Sequence, residues 1–179
     1  MGAAAQMMAA TVTPSVPPAG SQASLRLPGA YFHDCHQIAS LDANASALEL
    51  YLQVVGQTPG WVNRLMALRN WLAGLAGLKN LGHLGALSTA KPASEYRVGD
   101  RVGIFSLLYL SPHEVLLGDS DKHLDVVLSV CRAPQDAVSV TTVVHVHNWL
   151  GHLYMLPVTP LHKIIVKTML KRTASLRPV

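Results

Sequence analysis

The chain of 179 residues is short of charge and of cysteine. Only 13% of its residues are Asp, Glu, Lys or Arg, while half are apolar, a balance that suits one globular domain with a substantial core rather than two small ones. Its two cysteines, Cys35 and Cys131, lie far apart and without metal-type spacing. A disulfide framework or zinc knuckle therefore has no support, and a reducing, cytoplasmic setting is the default. The formal net charge of +4 does not imply a general polyanion-binding surface, because five of the fourteen Lys and Arg follow Pro160. Basic patches interleaved with aromatics are missing, so nucleic acid is not an expected partner. Nor is there a G-x-S-x-G elbow, a P-loop, a dinucleotide fingerprint or a C-x-x-C pair, so no motif names a reaction or a cofactor.

Apolar periodicity is absent from the beginning of the chain. Residues 1–28 are Ala, Pro, Ser, Gly and Thr for the most part, with Arg26 as their only charge, and are predicted to be a disordered tail that cannot offset its ordering entropy. A basic n-region and a continuous apolar h-region are lacking there, so export is not expected. Residues 137–162 carry no Lys, Arg, Asp or Glu, but their histidines, Asn148, two prolines and strict alternation read as a strand and a connection instead of a membrane span. A single domain is expected over residues 29–174, with 175–179 as a C-terminal tail.

The most informative stretch is residues 122–149. Leu124, Val126, Leu128 and Val130 alternate on one face of a first strand, and Val138, Val140, Val144 and Val146 on one face of a second. If the turn over residues 133–137 closes a regular hairpin, Arg132 faces Val138, Asp125 faces His145 and His123 faces His147. Four acid–base- or metal-competent side chains, His123, Asp125, His145 and His147, would then share one patch on the face opposite the valines. That face is expected to be the wet, convex side of the sheet, where such residues are merely solvated, so no metal is assigned. The other carboxylate cluster, residues 118–121, lacks the closing Glu of a calcium loop and reads as a turn.

Upstream, residues 30–38 form a short strand whose His33 and Cys35 point away from His36, which argues against a shared metal. Ser46 with Glu49 makes a capping box for a helix with a stripe of Leu48, Tyr51, Leu52 and Val55, ended at Gly56. Thr58 and Pro59 open a second helix with a stripe of Trp61, Leu65, Leu68, Leu72 and Leu75. Residues 79–96 have no period and read as a long loop. Residues 102–110 form a strand that is apolar on both faces, and a second strand returns over 114–119. Thr159 and Pro160 start the last helix, where Leu161, Ile164, Ile165, Val166, Thr168 and Met169 cover a wide arc and Lys163, Lys167 and Lys171 a narrow strip. That arc is the natural cover for the valine face, which argues against its use on a membrane surface.

The runs EVLLGDSDKHLDVVLSV, PGWVNRLMALRNWLAGLAGLK and HNWLGHLYMLPVTPLHKIIVKTMLKR resemble the bacterial family known as domain of unknown function 2867, over residues 30–172. Where that family often carries Phe-Arg, this chain has Val126 and Val127. The family is similar to the START-like, SRPBCC or helix-grip superfamily. The resemblance implies an α+β fold, an antiparallel sheet curled around a long C-terminal helix, with two short helices after the first strand. It also implies a habit of binding apolar ligands, but no established activity.

On this reading the leading expectation is a protein that holds a small hydrophobic molecule in a cavity between sheet and C-terminal helix. Val126, Leu128, Val140, Thr142, Val144, Ile165 and Met169 are the candidate ligand-binding residues. The alternatives are an enzyme using His123, Asp125, His145 and His147, or a structural partner-binding module with a filled core. Sequence alone does not give the oligomeric state.

Overall fold

The computed structural model describes residues 12–39, 42, 44–75, 91–133 and 137–175. In chain order the elements are β1 (Thr13–Pro14), β2 (Phe32–Ala39), α1 (Ala47–Gly56), α2 (Gly60–Leu75), β3 (Arg101–Val102), β4 (Phe105–Leu110), β5 (Glu114–Ser120), β6 (Leu124–Ala133), β7 (Ala137–Val146) and α3 (Trp149–Ala174). Single 3₁₀ turns lie over Ser24–Arg26 and Ala93–Glu95. The seven strands form one curled, unclosed antiparallel sheet in the order β1-β2-β7-β6-β5-β4-β3, with α3 laid across it. This is the α+β architecture expected from the sequence.

The central hairpin has the anticipated register, with Asp125 opposite His145 and Arg132 opposite Val138. On the far side of β7, Phe32 pairs with Val144, Asp34 with Thr142 and His36 with Val140. These pairings set Phe32, Asp34, His36 and Ile38 on the same face as Val138, Val140, Thr142 and Val144. That inner face packs on α1 and α3 through Leu48, Tyr51, Val55, Met169 and Leu170. The capping box of α1 is closed in both directions: Glu49 N–H donates to Ser46 Oγ (3.3 Å), and Ser46 N–H donates to Glu49 Oε2 (2.6 Å).

Three expectations about local structure are corrected. The strand anticipated over 102–110 is broken into β3 and β4 by a tight turn at Gly103, whose φ of 62° suits glycine. Gly118 and Asp119 belong to β5 rather than to a turn. A Cβ on Gly118 would come within 2.6 Å of the Leu108 side chain and 3.0 Å of the Val126 carbonyl, so a side chain there would have to displace Leu108. In α2 the core is met by Val62 and Met66, whereas Trp61 and Leu68 of the anticipated stripe face solvent. The side chains of Leu72 and Leu75 lie outside the described residues. Of the loop anticipated over 79–96, only the part from Lys91 on is described.

The last helix begins eleven residues earlier than expected. Asn148, not Thr159, is its N-cap: the side-chain oxygen accepts from Gly151 N–H (3.2 Å), and its amide nitrogen donates to the Lys122 carbonyl (2.8 Å). Pro157 and Pro160 sit inside the helix. Both are exposed, as are Leu153 and Leu156, whose carbonyls lose their N–H donors, so water can take up the bonds that the prolines remove. Gly151 presses against the end of the hairpin, where a Cβ would run into the His123 carbonyl oxygen and a Val146 methyl group.

The middle of the sheet's outer face is covered rather than wet. Ser129, Ser139, Thr141 and Val143 are buried there, beneath the chain segment that follows Val12. Ala23 packs on Leu116 and Val127. Glu114 accepts from Gln22 N–H (2.7 Å), Ala23 N–H (3.2 Å) and Ser129 Oγ–H (2.8 Å). The tail anticipated over 1–28 is therefore docked from Val12 onward, held by backbone donors and small side chains instead of an apolar stripe. Residues 1–11 lie outside the described residues.

Candidate functional site

The inner face of β2 carries a carboxylate and an imidazole among apolar neighbours. Asp34 and His36 sit two residues apart on that face, and His162 descends on them from α3, with Nε2 3.2 Å from Asp34 Oδ1. The His162 ring meets Phe32 edge-on, with centroids 5.6 Å apart. On its other side Asp34 Oδ2 lies 3.8 Å from His36 Nδ1, too far for a hydrogen bond. Thr142, the direct cross-strand partner of Asp34, adds a hydroxyl. Asp34 Oδ2, His36 Nδ1 and Thr142 Oγ1 are all buried without a hydrogen-bond partner among the described residues.

This combination is costly to stability unless something occupies it, because each unsatisfied buried polar group costs about 1–3 kcal/mol. The surroundings are apolar: Val140 and Val144 are buried beside the cluster, and Val126 and Leu128 extend the same face, half-buried. Ile165 and Met169 come from α3. The seven residues expected to bind a ligand lie on the inner face of β6 and β7 and on α3. Asp34, His36 and His162 were not among them.

Burial lowers the pKa of His36 from its ordinary 6.5; Asp34 opposes this, while Lys167 and His162 reinforce it. Neutral His36 offers one ring nitrogen as donor and the other as acceptor, and the Thr142 hydroxyl can act either way. Because the folded protein resists protonation of His36 and the unfolded chain does not, stability holds above the ordinary histidine pKa. It should fall as pH drops through about 6.5. Urea midpoints measured across that range should therefore decline toward acid, and less so in His36→Leu; an equal decline in the variant would assign the titration elsewhere.

The hairpin patch is dispersed. Asp125 and His147 do meet, with Oδ2 and Nε2 3.1 Å apart. Burial raises the Asp125 pKa, but hydrogen bonds from Ser120 and His147 outweigh it and hold the carboxyl below its ordinary range. His145 turns to the Arg26 carbonyl (2.8 Å), and His123 to the Asn148 side chain (3.1 Å) at the start of α3. Among the described residues no three His, Cys, Asp or Glu side chains are grouped to hold a metal ion. Cys35 and Cys131 are both buried free thiols, with burial raising the pKa of each, Cys131 to about 11. A separate groove of about 400 Å³, lined by Ser46, Glu49, Tyr96, Arg97 and Pro112 among others, opens beside the start of α1. Its Glu49 is already engaged in the capping box.

Two sequence signals could have found the inner cluster. Asp34 shares a strand face with Phe32 and Ile38, a charge on an otherwise apolar side. His162 falls within the helical arc of Ile165, Val166 and Met169.

No curated protein and no solved structure matches the chain. A family model described as "Protein of unknown function (DUF2867)" matches residues 26–169, most of the sequence, including every residue of the inner cluster. The chain belongs to the DUF2867 family.

Proposed function

We propose that this protein binds a small, mainly apolar molecule with one polar end, held between the inner face of the sheet and α3. The polar end meets Asp34, His36, Thr142 and His162. The observation that carries this reading is the convergence of three buried polar atoms without a hydrogen-bond partner among the described residues, Asp34 Oδ2, His36 Nδ1 and Thr142 Oγ1, on an apolar surface. A ligand hydroxyl can donate to the carboxylate and accept from the imidazole or threonine. The curled sheet with a long C-terminal helix is compatible with a START-like, SRPBCC helix-grip fold, which supports the same reading. Acid–base chemistry, if the protein is an enzyme, belongs to this cluster instead of the hairpin patch, since a carboxylate flanked by two imidazoles can orient and relay a proton. The buried free thiols of Cys35 and Cys131 suit a reducing, cytoplasmic setting.

Thermal unfolding tests the proposal with decanol, decanoic acid and decane as probes. Decanol or the acid should raise the melting temperature by mass action, and decane, which has no polar end, should do so least. Thr142→Val removes an unsatisfied hydroxyl at constant shape. It should raise the melting temperature of the ligand-free protein by about 2–4 °C and weaken the response to the polar probes. A variant less stable than the parent, together with no response to any probe, would favour the filled-core, partner-binding alternative.

A further inference from the structure

The outward side of the two longer helices differs from the rest of the surface. All three tryptophans of the chain are exposed there: Trp61 and Trp71 on α2 are 39% and 63% exposed, and Trp149 at the start of α3 is 74% exposed. Scattered apolar residues on a surface need no explanation, but a continuous run of large ones does. At about 100° per residue, Trp149, Leu153, Leu156, Pro160 and Ile164 fall in one stripe opposite the buried side of α3. Continuing that stripe toward the C-terminus come Lys163, Lys167 and Lys171, all exposed. On α2 the outward face places Arg64 between Trp61 and Leu68. The two helices meet where Arg69 Nε donates to the Tyr154 hydroxyl (3.1 Å), with the guanidinium 5.5 Å from that ring's centre.

Charge decides which occupant fits. The sequences of α2 and α3 contain six Lys and Arg and no Asp or Glu. A second copy of the chain docking through the same face would bring like charges together, and an uncharged partner would offer the exposed lysines no countercharge. Large aromatic and aliphatic side chains beside a strip of lysines are what an anionic lipid surface accepts: the rings and aliphatic chains enter the headgroup boundary while the ammonium groups stay at the phosphates. Among the described residues no helix is long and apolar enough to cross a membrane. We infer that the protein docks reversibly on anionic lipid bilayers through the outward face of α2 and α3. The sequence had argued against a membrane surface by assigning the apolar arc of the last helix wholly to the sheet. In the fold that arc is divided, with Met169 buried and Leu161 and Ile164 exposed.

Flotation with vesicles of phosphatidylcholine, alone and mixed with phosphatidylglycerol, tests the inference on the full chain. The protein should float with the mixed vesicles, release as salt is raised, and show a blue-shifted tryptophan emission, because every tryptophan is on the proposed face. Replacing Lys163, Lys167 and Lys171 together by Gln should lower partitioning about a hundredfold. The double variant Trp149→Ser, Leu156→Ser should abolish flotation at an unchanged urea midpoint. Equal binding to phosphatidylcholine alone, or no binding to either vesicle, would overturn the inference. So would a dimer in sedimentation velocity that the double variant dissolves, since a second copy would then cover the face. A double variant with a lowered urea midpoint would overturn it as well, by showing that the face packs within the chain.

Discussion

Replacing Glu114 with alanine is expected to lower stability by about 3–5 kcal/mol and to expose the residues preceding β2 to proteases. The carboxylate is buried, and its two oxygens accept from two backbone N–H groups, on Gln22 and Ala23, and from the Ser129 hydroxyl. Bonds to a charged acceptor are each worth about 1.5–3 kcal/mol, and the alanine variant also strands the donors beneath the segment they anchor. Glutamine restores little, because one of its two terminal atoms presents N–H where a donor already points. Urea denaturation with limited proteolysis and mass analysis of the fragments checks this. An unchanged midpoint with no new cleavage before Phe32 would mean that small-residue packing around Ala23 holds the segment without the carboxylate.

The same segment marks the limit of what the sequence disclosed. Reading order from apolar period worked where side chains supply the packing: the hairpin register followed from alternation and turn length, and α1 from the Ser46–Glu49 pair. It failed where the backbone itself makes the bonds. Ser15 N–H donates to the Cys35 carbonyl (2.9 Å) and Tyr31 N–H to that of Val144 (2.9 Å), contacts that leave no mark in composition. The first half of α3 was hidden by Pro157 and Pro160, ordinarily reasons to end a helix, which are tolerated here on the solvent side. Asp34 and His162 are 128 positions apart, and only the laying of α3 over β2 joins them. Their individual oddity, a polar group on an apolar face, was legible; their partnership was not.

Leu170→Asp should unfold the protein, whereas Ile164→Asp should leave its stability within about 0.5 kcal/mol of the parent. Helical periodicity alone gives both positions an apolar character, but Leu170 is 1% exposed against the core and Ile164 is 55% exposed. Substituting Leu170 forfeits the transfer energy of a buried leucine, leaves a cavity and places a carboxylate among Met169, Tyr51 and the valines of the sheet. The first two losses come to about 3–5 kcal/mol, and the unpaired charge adds to them, together comparable to the whole stability of a typical domain. At Ile164 water already reaches the side chain, so a carboxylate keeps its hydration. Circular dichroism melts of the two variants separate the outcomes. A fully folded Leu170→Asp protein would mean that α3 rests on the sheet without being gripped by it, and the interface proposed to hold the ligand would have to be sought elsewhere. Loss of folding confined to Leu170→Asp would identify the C-terminal half of α3 as the core plug, leaving the outward stripe that includes Ile164 free for other contacts.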